Sequence, residues 1–226
     1  GMLNAGVALW TTWLFRTEVR RPAERALRCA VILCLLTLGF AYSGHMTSWA
    51  EKGLYGDEVI HAETTPYQRL AITRWHDDLR LYINGNLQFS SRDEHRYHES
   101  LVHPGLEALP WARNVLVLGG GDGLAVRGVL KHKQIERVTL VDLDPAMTGL
   151  FMRSEPLVKL NHNSLNDPRV TVINEDAGRW LESHAYVYDF IVVDFPDPSN
   201  FGLGRLYSVP VYHLMAKHLA ANGYMA

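Results

Sequence analysis

Asn114 to His132 reads NVLVLGGGDGLAVRGVLKH. An apolar, β-branched run ends in Gly119-Gly120-Gly121-Asp122-Gly123, and a helical pattern follows. Such a strand, glycine turn and helix form the first unit of an open α/β sheet, whose ligands lie at the carboxyl ends of the strands. Glycines let the backbone turn tightly and let a ligand approach closely. A dinucleotide fingerprint would read GxGxxG; Gly119 and Gly121 fit it, but Leu124 stands at the third glycine. A carboxylate at Asp122 would repel phosphates, so a positively charged ligand suits this turn better.

Working outward, the strand candidates are NVLVLG, RVTLVDL, RVTVIN and YDFIVVDF, with helical stretches between them, including Gly123–Lys131 and Leu206–Leu219. Apolar strands alternating with helices predict a doubly wound, Rossmann-like parallel sheet covered on both faces. We assign it to residues 91–226, with a first helix capped by Ser91 or Asp93 and interrupted at Pro104-Gly105. The terminal HLAANGYMA stops where a new strand should begin, so the sheet reads as truncated at its C-terminus. Residues 54–90 alternate with period two and carry Asn84-Gly85, which predicts a small antiparallel β module. Residues 1–50 read as hydrophobic, membrane-associated helices. Within them CAVILCLLTLGFAYSGHM, residues 29–46, is eighteen residues without a charged side chain apart from a neutral histidine. That approaches the ~20 apolar residues a bilayer span needs. Trp10, Trp13 and Trp49 flank the apolar segments as interfacial anchors would. Gly1 before Met2 reads as a cut end, and the chain as a segment clipped at both ends.

The 226 residues carry a formal net charge of -2, which disfavours a nucleic-acid groove. Hydrophobic residues make up 47%, which excludes a disordered chain. Cys29 and Cys34 form no CxxC pair, so a zinc ribbon or disulfide framework is excluded. His95, His98 and His103 with Asp93 and Glu99 fit no common zinc spacing, and no metal is expected.

The strand ends carry a sequence of acids. Asp142 lies about twenty residues past the glycine turn, where an acid bonds ribose hydroxyls; a helix cap is the alternative. Asp176, after the third strand, could accept from an adenine amino group or be a solvated loop acid. Asp194 and Asp197 close the fourth strand in DFPDP, stiffened by prolines. Together these residues suit a nucleoside without phosphates, carrying a sulfonium, beside a polycationic amine.

On these residues the chain from 67 to 226 resembles the polyamine aminopropyltransferases. The resemblance is carried by Tyr67-Gln68, NGNLQ at 84–88, DEHRYHE at 93–99, GGGDG at 119–123, VDLD at 141–144, Asp176-Ala177, DFPDP at 194–198 and LYS at 206–208, in the family's order. It implies a methyltransferase-type fold and transfer of an aminopropyl group from decarboxylated S-adenosylmethionine to a diamine such as putrescine, giving spermidine and methylthioadenosine. The nucleoside is then a co-substrate, with no tightly bound cofactor. The resemblance places Gln68, Gly119, Gly121, Asp142, Asp176 and Ala177 against the nucleoside, and Gln88, His98 and Asp122 against the amine. Asp194 would accept the proton, with Tyr97 and Asp197 orienting the amine. Residues 1–50 resemble the membrane region of a long bacterial subgroup.

Departures from the family pattern are Asp142 in place of Glu, Gly128 in place of Glu, and SNFGLGR after Pro198. Two other functions fit parts of the pattern: an S-adenosylmethionine-dependent methyltransferase and a non-catalytic polyamine-binding membrane module. The five arginines from Arg16 to Arg28 would put a following domain outside the cytoplasm if one span intervened. The substrate is made inside, so we expect attachment to the bacterial inner membrane with the catalytic domain in the cytoplasm. Homodimerisation through the β module is a family expectation.

Overall fold

The computed structural model of the chain describes residues 2–15, 17, 21–42, 53, 55–198 and 201–226. It divides into two compact units, residues 1–59 and 60–226.

The first unit holds helices α1, Met2–Leu14, and α2, Pro22–Ala41. Pro22 suits the first turn of α2, where its missing N–H has no partner to lose. The expected membrane span is not found: among the described residues no helix is long and apolar enough to cross a membrane. The reason lies in where α2 begins and ends. Glu24, Arg25 and Arg28 occupy its first two turns, leaving only residues 29–41 uncharged. At 1.5 Å per residue that stretch covers roughly 20 Å, against a hydrocarbon core of about 30 Å. Residues 43–46 of the apolar run, Trp49, Arg16 and Arg20 lie outside the described residues.

The second unit begins within β1, Glu58–Thr64, the first strand of an antiparallel sheet that continues with β2, Arg69–Trp75, β3, Asp78–Ile83, and β4, Asn86–Ser90, in that order. Asn84 and Gly85 both take positive φ, 51° and 82°, as a two-residue hairpin turn between twisted strands requires.

A five-stranded parallel sheet follows, ordered β7-β6-β5-β8-β9. Its strands are β5, Asn114–Gly119, β6, Arg137–Asp142, β7, Val170–Asn174, β8, Tyr188–Asp194, and β9, Leu219–Met225. The terminal segment, expected to stop where a new strand begins, already forms that strand, paired to β8. Helices α3, Glu94–Glu107, α4, Leu124–Leu130, α5, Pro145–Arg153, and α6, Glu155–Leu160, connect the early strands. The later ones are α7, Ala177–Ser183, the short α8, Phe201–Gly204, and α9, Val209–Lys217.

The alternation of side chains along each strand explains why both faces need helices. Val115, Val117, Val138, Leu140, Phe190 and Val192 face one core, shared with α3, α4 and the β module. Leu116, Leu118, Val141 and Ile191 face another, built with Trp180 and Leu181 of α7 and Val211 and Met215 of α9. This is the Rossmann-like α/β arrangement the sequence predicts. Two details differ from expectation. Helix α3 runs through Pro104 to Glu107, and Gly105 is there because a Cβ would meet the Phe190 ring at 2.5 Å. Asp93 precedes α3 but its side chain does not cap it.

Candidate active site

Strands β5 and β8 are neighbours, with Gly119 opposite Asp194. Their carboxyl ends therefore share one place, and the glycine turn lies against Asp194. Gly119 has φ +81°, and a Cβ on it would sit 2.2 Å from the Asp194 carbonyl oxygen. A Cβ on Gly120 would meet Asp194 Oδ2 at 2.7 Å. The Gly120 N–H donates to the Asp194 carbonyl at 3.0 Å. The glycines thus bring two carboxylates, Asp122 and Asp194, to one pocket.

His98 completes this cluster from α3. It is 4% exposed, and its Nε2 lies 3.9 Å from Asp194 Oδ2. One ligand atom each of His98, Asp122 and Asp194 lies within 4.8 Å of the others. Tyr97, one residue earlier, donates its hydroxyl to Asp194 Oδ1 at 3.0 Å.

Burial and mutual repulsion dominate the electrostatics. Burial raises Asp194 to about 6, the Asp122 carboxylate adds to the rise, and His98 and Tyr97 oppose it. Asp122 is also pushed up by burial. Burial disfavours the His98 cation, but Glu94, Asp122 and Asp194 outweigh it, so its imidazolium persists above the ordinary range. Burial, then Asp194, holds the Tyr97 phenol in its neutral form.

On the other side of the turn stands Asp142, at the end of β6. Burial raises it to about 6, against two stabilising backbone donors, Asp144 N–H at 2.9 Å and Gly121 N–H at 3.1 Å. A Cβ at Gly121 would be 2.7 Å from its carboxyl group, so only glycine allows this approach. Asp142 therefore anchors the turn. Asp144, which the sequence reading quoted only as part of a motif, caps α5 and accepts from Ala146 N–H at 3.0 Å. It also accepts from the Thr65 hydroxyl at 2.8 Å and the Gln68 amide at 3.0 Å. Gln68 is thus tied to the end of β6 through Asp144. Asp176 caps α7, accepting from Arg179 N–H at 2.9 Å, and pairs with Arg205 at 3.0 Å. Ala177 is the buried first residue of that helix.

Two expected residues are not brought in. Gln88 is exposed on β4, with its amide donating to the Asn86 carbonyl at 3.3 Å. Asp197 is exposed beyond the strand end. Ser199 and Asn200 of the following loop lie outside the described residues; the Tyr207 hydroxyl braces its base on the Phe195 and Pro196 carbonyls, 3.0 Å each.

The histidines weighed for a metal do not assemble as a set. His95 is exposed, His103 pairs with His132 at 2.8 Å, Glu99 with Lys131, and Asp93 with Arg96. His98, Asp122 and Asp194 are the one group among the described residues whose donors converge enough to hold a metal ion. An ammonium group, with three N–H donors, meets the same geometry. Sequence reasoning missed Glu94 and Arg127, buried behind His98. The i, i+4 spacing of Glu94 and His98 was the available signal.

Comparison with known proteins agrees with this geometry. Residues 94–226 match the model of the spermine/spermidine synthase domain. Polyamine aminopropyltransferase 2 of Ralstonia nicotianae is 58% identical over 99% of this chain and 44% of its own length. The polyamine aminopropyltransferase of Leptospira interrogans is 52% identical over 97% of the chain and 44% of its own length. The chain thus spans under half the length of the curated relatives it matches. A crystal structure of spermidine synthase with the transition-state analogue AdoDATO superposes with a TM-score of 0.69 and 25% identity, over 74% of this chain and 57% of that one. The spermidine synthase of Thermotoga maritima gives 0.67 and 25%, over 74% and 56%. A family match over more than half of the residues, carried on this parallel sheet, means that the chain belongs to the spermine/spermidine synthase domain family.

Proposed function

We propose that the protein is an aminopropyltransferase. It moves the aminopropyl group of decarboxylated S-adenosylmethionine to a diamine of the putrescine type, releasing methylthioadenosine. The observation that carries this reading is the convergence of His98, Asp122 and Asp194 beside the glycine turn, the first two buried and the third partly so. Relatives named polyamine aminopropyltransferase support it.

The chemistry follows from charge. A primary amine is mostly protonated at neutral pH and must lose a proton before its lone pair can attack. Asp194, raised to about 6, is a better proton acceptor than a carboxylate near 4 and is still ionised at neutral pH. Tyr97 orients it. The freed nitrogen attacks the methylene next to sulfur, the carbon–sulfur bond breaks, and the sulfonium leaves as a neutral thioether that needs no acid. Asp142, Asp176 and Gln68 take the nucleoside side. For Asp176 this requires Arg205 to share or yield its carboxylate.

The acidic pocket disfavours the methyltransferase alternative, because ordinary S-adenosylmethionine would bring a further carboxylate. The reaction belongs on the cytoplasmic side, where the co-substrate is made. Exposed apolar side chains on α1 and α2, Trp10, Trp13, Leu35 and Phe40 among them, support attachment of the N-terminal unit to an apolar surface. Vesicle flotation checks that attachment. Light scattering checks the homodimer.

The deciding experiment follows methylthioadenosine by mass spectrometry, with decarboxylated S-adenosylmethionine and putrescine as substrates. Product is expected, and Asp194→Asn should lower the rate roughly 10²–10⁴-fold. Methylated product from ordinary S-adenosylmethionine would overturn the reading. Loss of activity with a chelator, restored by a divalent cation, would overturn its metal-free form.

A further inference from the structure

Behind the pocket lies a buried ion network that the reaction scheme above does not use. Glu94 opens α3 and its side chain is 4% exposed. Its Oε2 lies 2.9 Å from His98 Nδ1 and accepts from Arg127 Nη2 at 2.8 Å. The Glu94 backbone carbonyl lies 2.8 Å from the same His98 Nδ1. Arg127, itself 11% exposed, spends a second donor on the Leu160 carbonyl at 2.9 Å. Burial penalises the Glu94 carboxylate, but His98 and Arg127 together hold it below its ordinary range, so it stays charged.

Both groups facing His98 Nδ1 are acceptors, so that nitrogen carries a proton. With Nδ1 tied to Glu94, the ring presents Nε2 to Asp194. A buried carboxylate that holds an imidazole in one tautomer and orientation is a known device for setting which ring nitrogen faces a reacting group. Arg127 follows Asp122 by five residues, so one turn and helix supplies both the pocket acid and the clamp on the glutamate.

We propose that Glu94, clamped by Arg127, is a positioning residue for the amine pocket: it fixes His98 with its proton on Nδ1 and its Nε2 directed at the amine beside Asp194. Neutral His98 then offers an acceptor to an amine N–H; protonated His98 shields the paired acids when no amine is bound. This rests on the aminopropyltransferase reading for its consequence on rate, but the tautomer is a property of the protein alone.

The test uses the intact protein in two measurements. Nitrogen-15 NMR of the imidazole rings, with His98 assigned by its loss in His98→Gln, reads the tautomer above the titration of the ring. The wild type should show Nδ1–H. Glu94→Gln should shift the ring toward Nε2–H, because the new amide can donate to Nδ1. In turnover, Glu94→Gln should lower kcat roughly 10–100-fold, the range found when a carboxylate that orients a metal-ligating imidazole is lost, with KM for the nucleoside unchanged. Arg127→Lys, which keeps the charge but not the fork, should fall between Glu94→Gln and wild type, and it serves where Glu94→Gln does not fold. An Nε2–H tautomer in the wild type, or variants with wild-type spectrum and kcat, would overturn the proposal. A wild type with the expected tautomer that releases no methylthioadenosine from any amine would overturn the reaction and leave the positioning role standing.

Discussion

The two sides of the glycine turn treat their acids in opposite ways. On the β5–β8 side, Asp122 and Asp194 converge with His98; Asp122 accepts from the Leu124 N–H at 2.9 Å and Asp194 from the Tyr97 hydroxyl. On the β6–β7 side, each acid is answered by the protein: Asp142 by two backbone N–H groups, Asp144 by three donors, Asp176 by a helix N–H and Arg205. Two acids sharing one histidine on the first side suit a cation, as the proposed reaction requires. The second side is internally satisfied, which under the same proposal suits a neutral, hydrogen-bonding partner. The fold tolerates these converging acids because the His98 cation opposes their charge.

This contrast can be broken at the turn itself, where the largest stability effect is expected. Gly119→Ala places a methyl group 2.2 Å from the Asp194 carbonyl at a positive φ. Both sides should suffer, with a loss of roughly 3 kcal/mol or more by thermal or urea unfolding. An unchanged midpoint would mean that the turn is not under the close constraint described.

Asp144→Asn sharpens the second side alone. The amide oxygen can satisfy Ala146, but its NH2 would then face the donors of Thr65 and Gln68. A loss of roughly 1–3 kcal/mol is expected, together with a higher KM for the nucleoside and little change in kcat. A fall in kcat alone would contradict the division of labour.

Asp122→Asn sharpens the first side. Removing this negative charge should lower Asp194, so the acid limb of kcat/KM should move from about 6 to lower pH, by roughly one pH unit or less. Stability should change in a defined window. A carboxyl raised by burial costs nothing while neutral, below its unfolded value near 3.8, and destabilises as pH rises through its folded value. Burial raises Asp122 in the same way, so Asp122→Asn should gain stability over wild type at neutral and higher pH and lose that advantage in acid. An acid limb that moves upward would show that Asp122 does not face Asp194 as a charge.

The smallest effect is expected away from both sides. Gly128 lies inside α4, where the family pattern has an acid. A Cβ there would meet Val102 at 3.4 Å, an ordinary contact. Gly128→Ala should stabilise by up to about 1 kcal/mol without altering turnover.

Much of this was legible in the linear chain because the signals are local. Strand and helix periods, Asn84-Gly85 and the glycine turn each follow from a few consecutive residues, since backbone sterics act over that range. The apolar run at 29–46 shows the limit of such counting: residues 24–28 place charges inside the same helix, and helix boundaries decide whether a run can span.

The residues of the pocket could be named from sequence, but not their relations. Asp122 and Asp194 are separated by seventy-two positions, and only the pairing of β5 with β8 makes them repel. Asp197 and Gln88, equally prominent in sequence, stay exposed because neither strand end nor hairpin turns them inward. Glu94 and Arg127 carry no role in the linear chain, because only packing buries them together behind His98. The sequence by itself determined which elements form and which polar groups are available at their ends, because those follow from local sterics and periodicity. Tertiary structure decided which charges are buried, which are paired and which are left to attract a cation, because desolvation and Coulomb energies depend on distances that no short window of sequence contains.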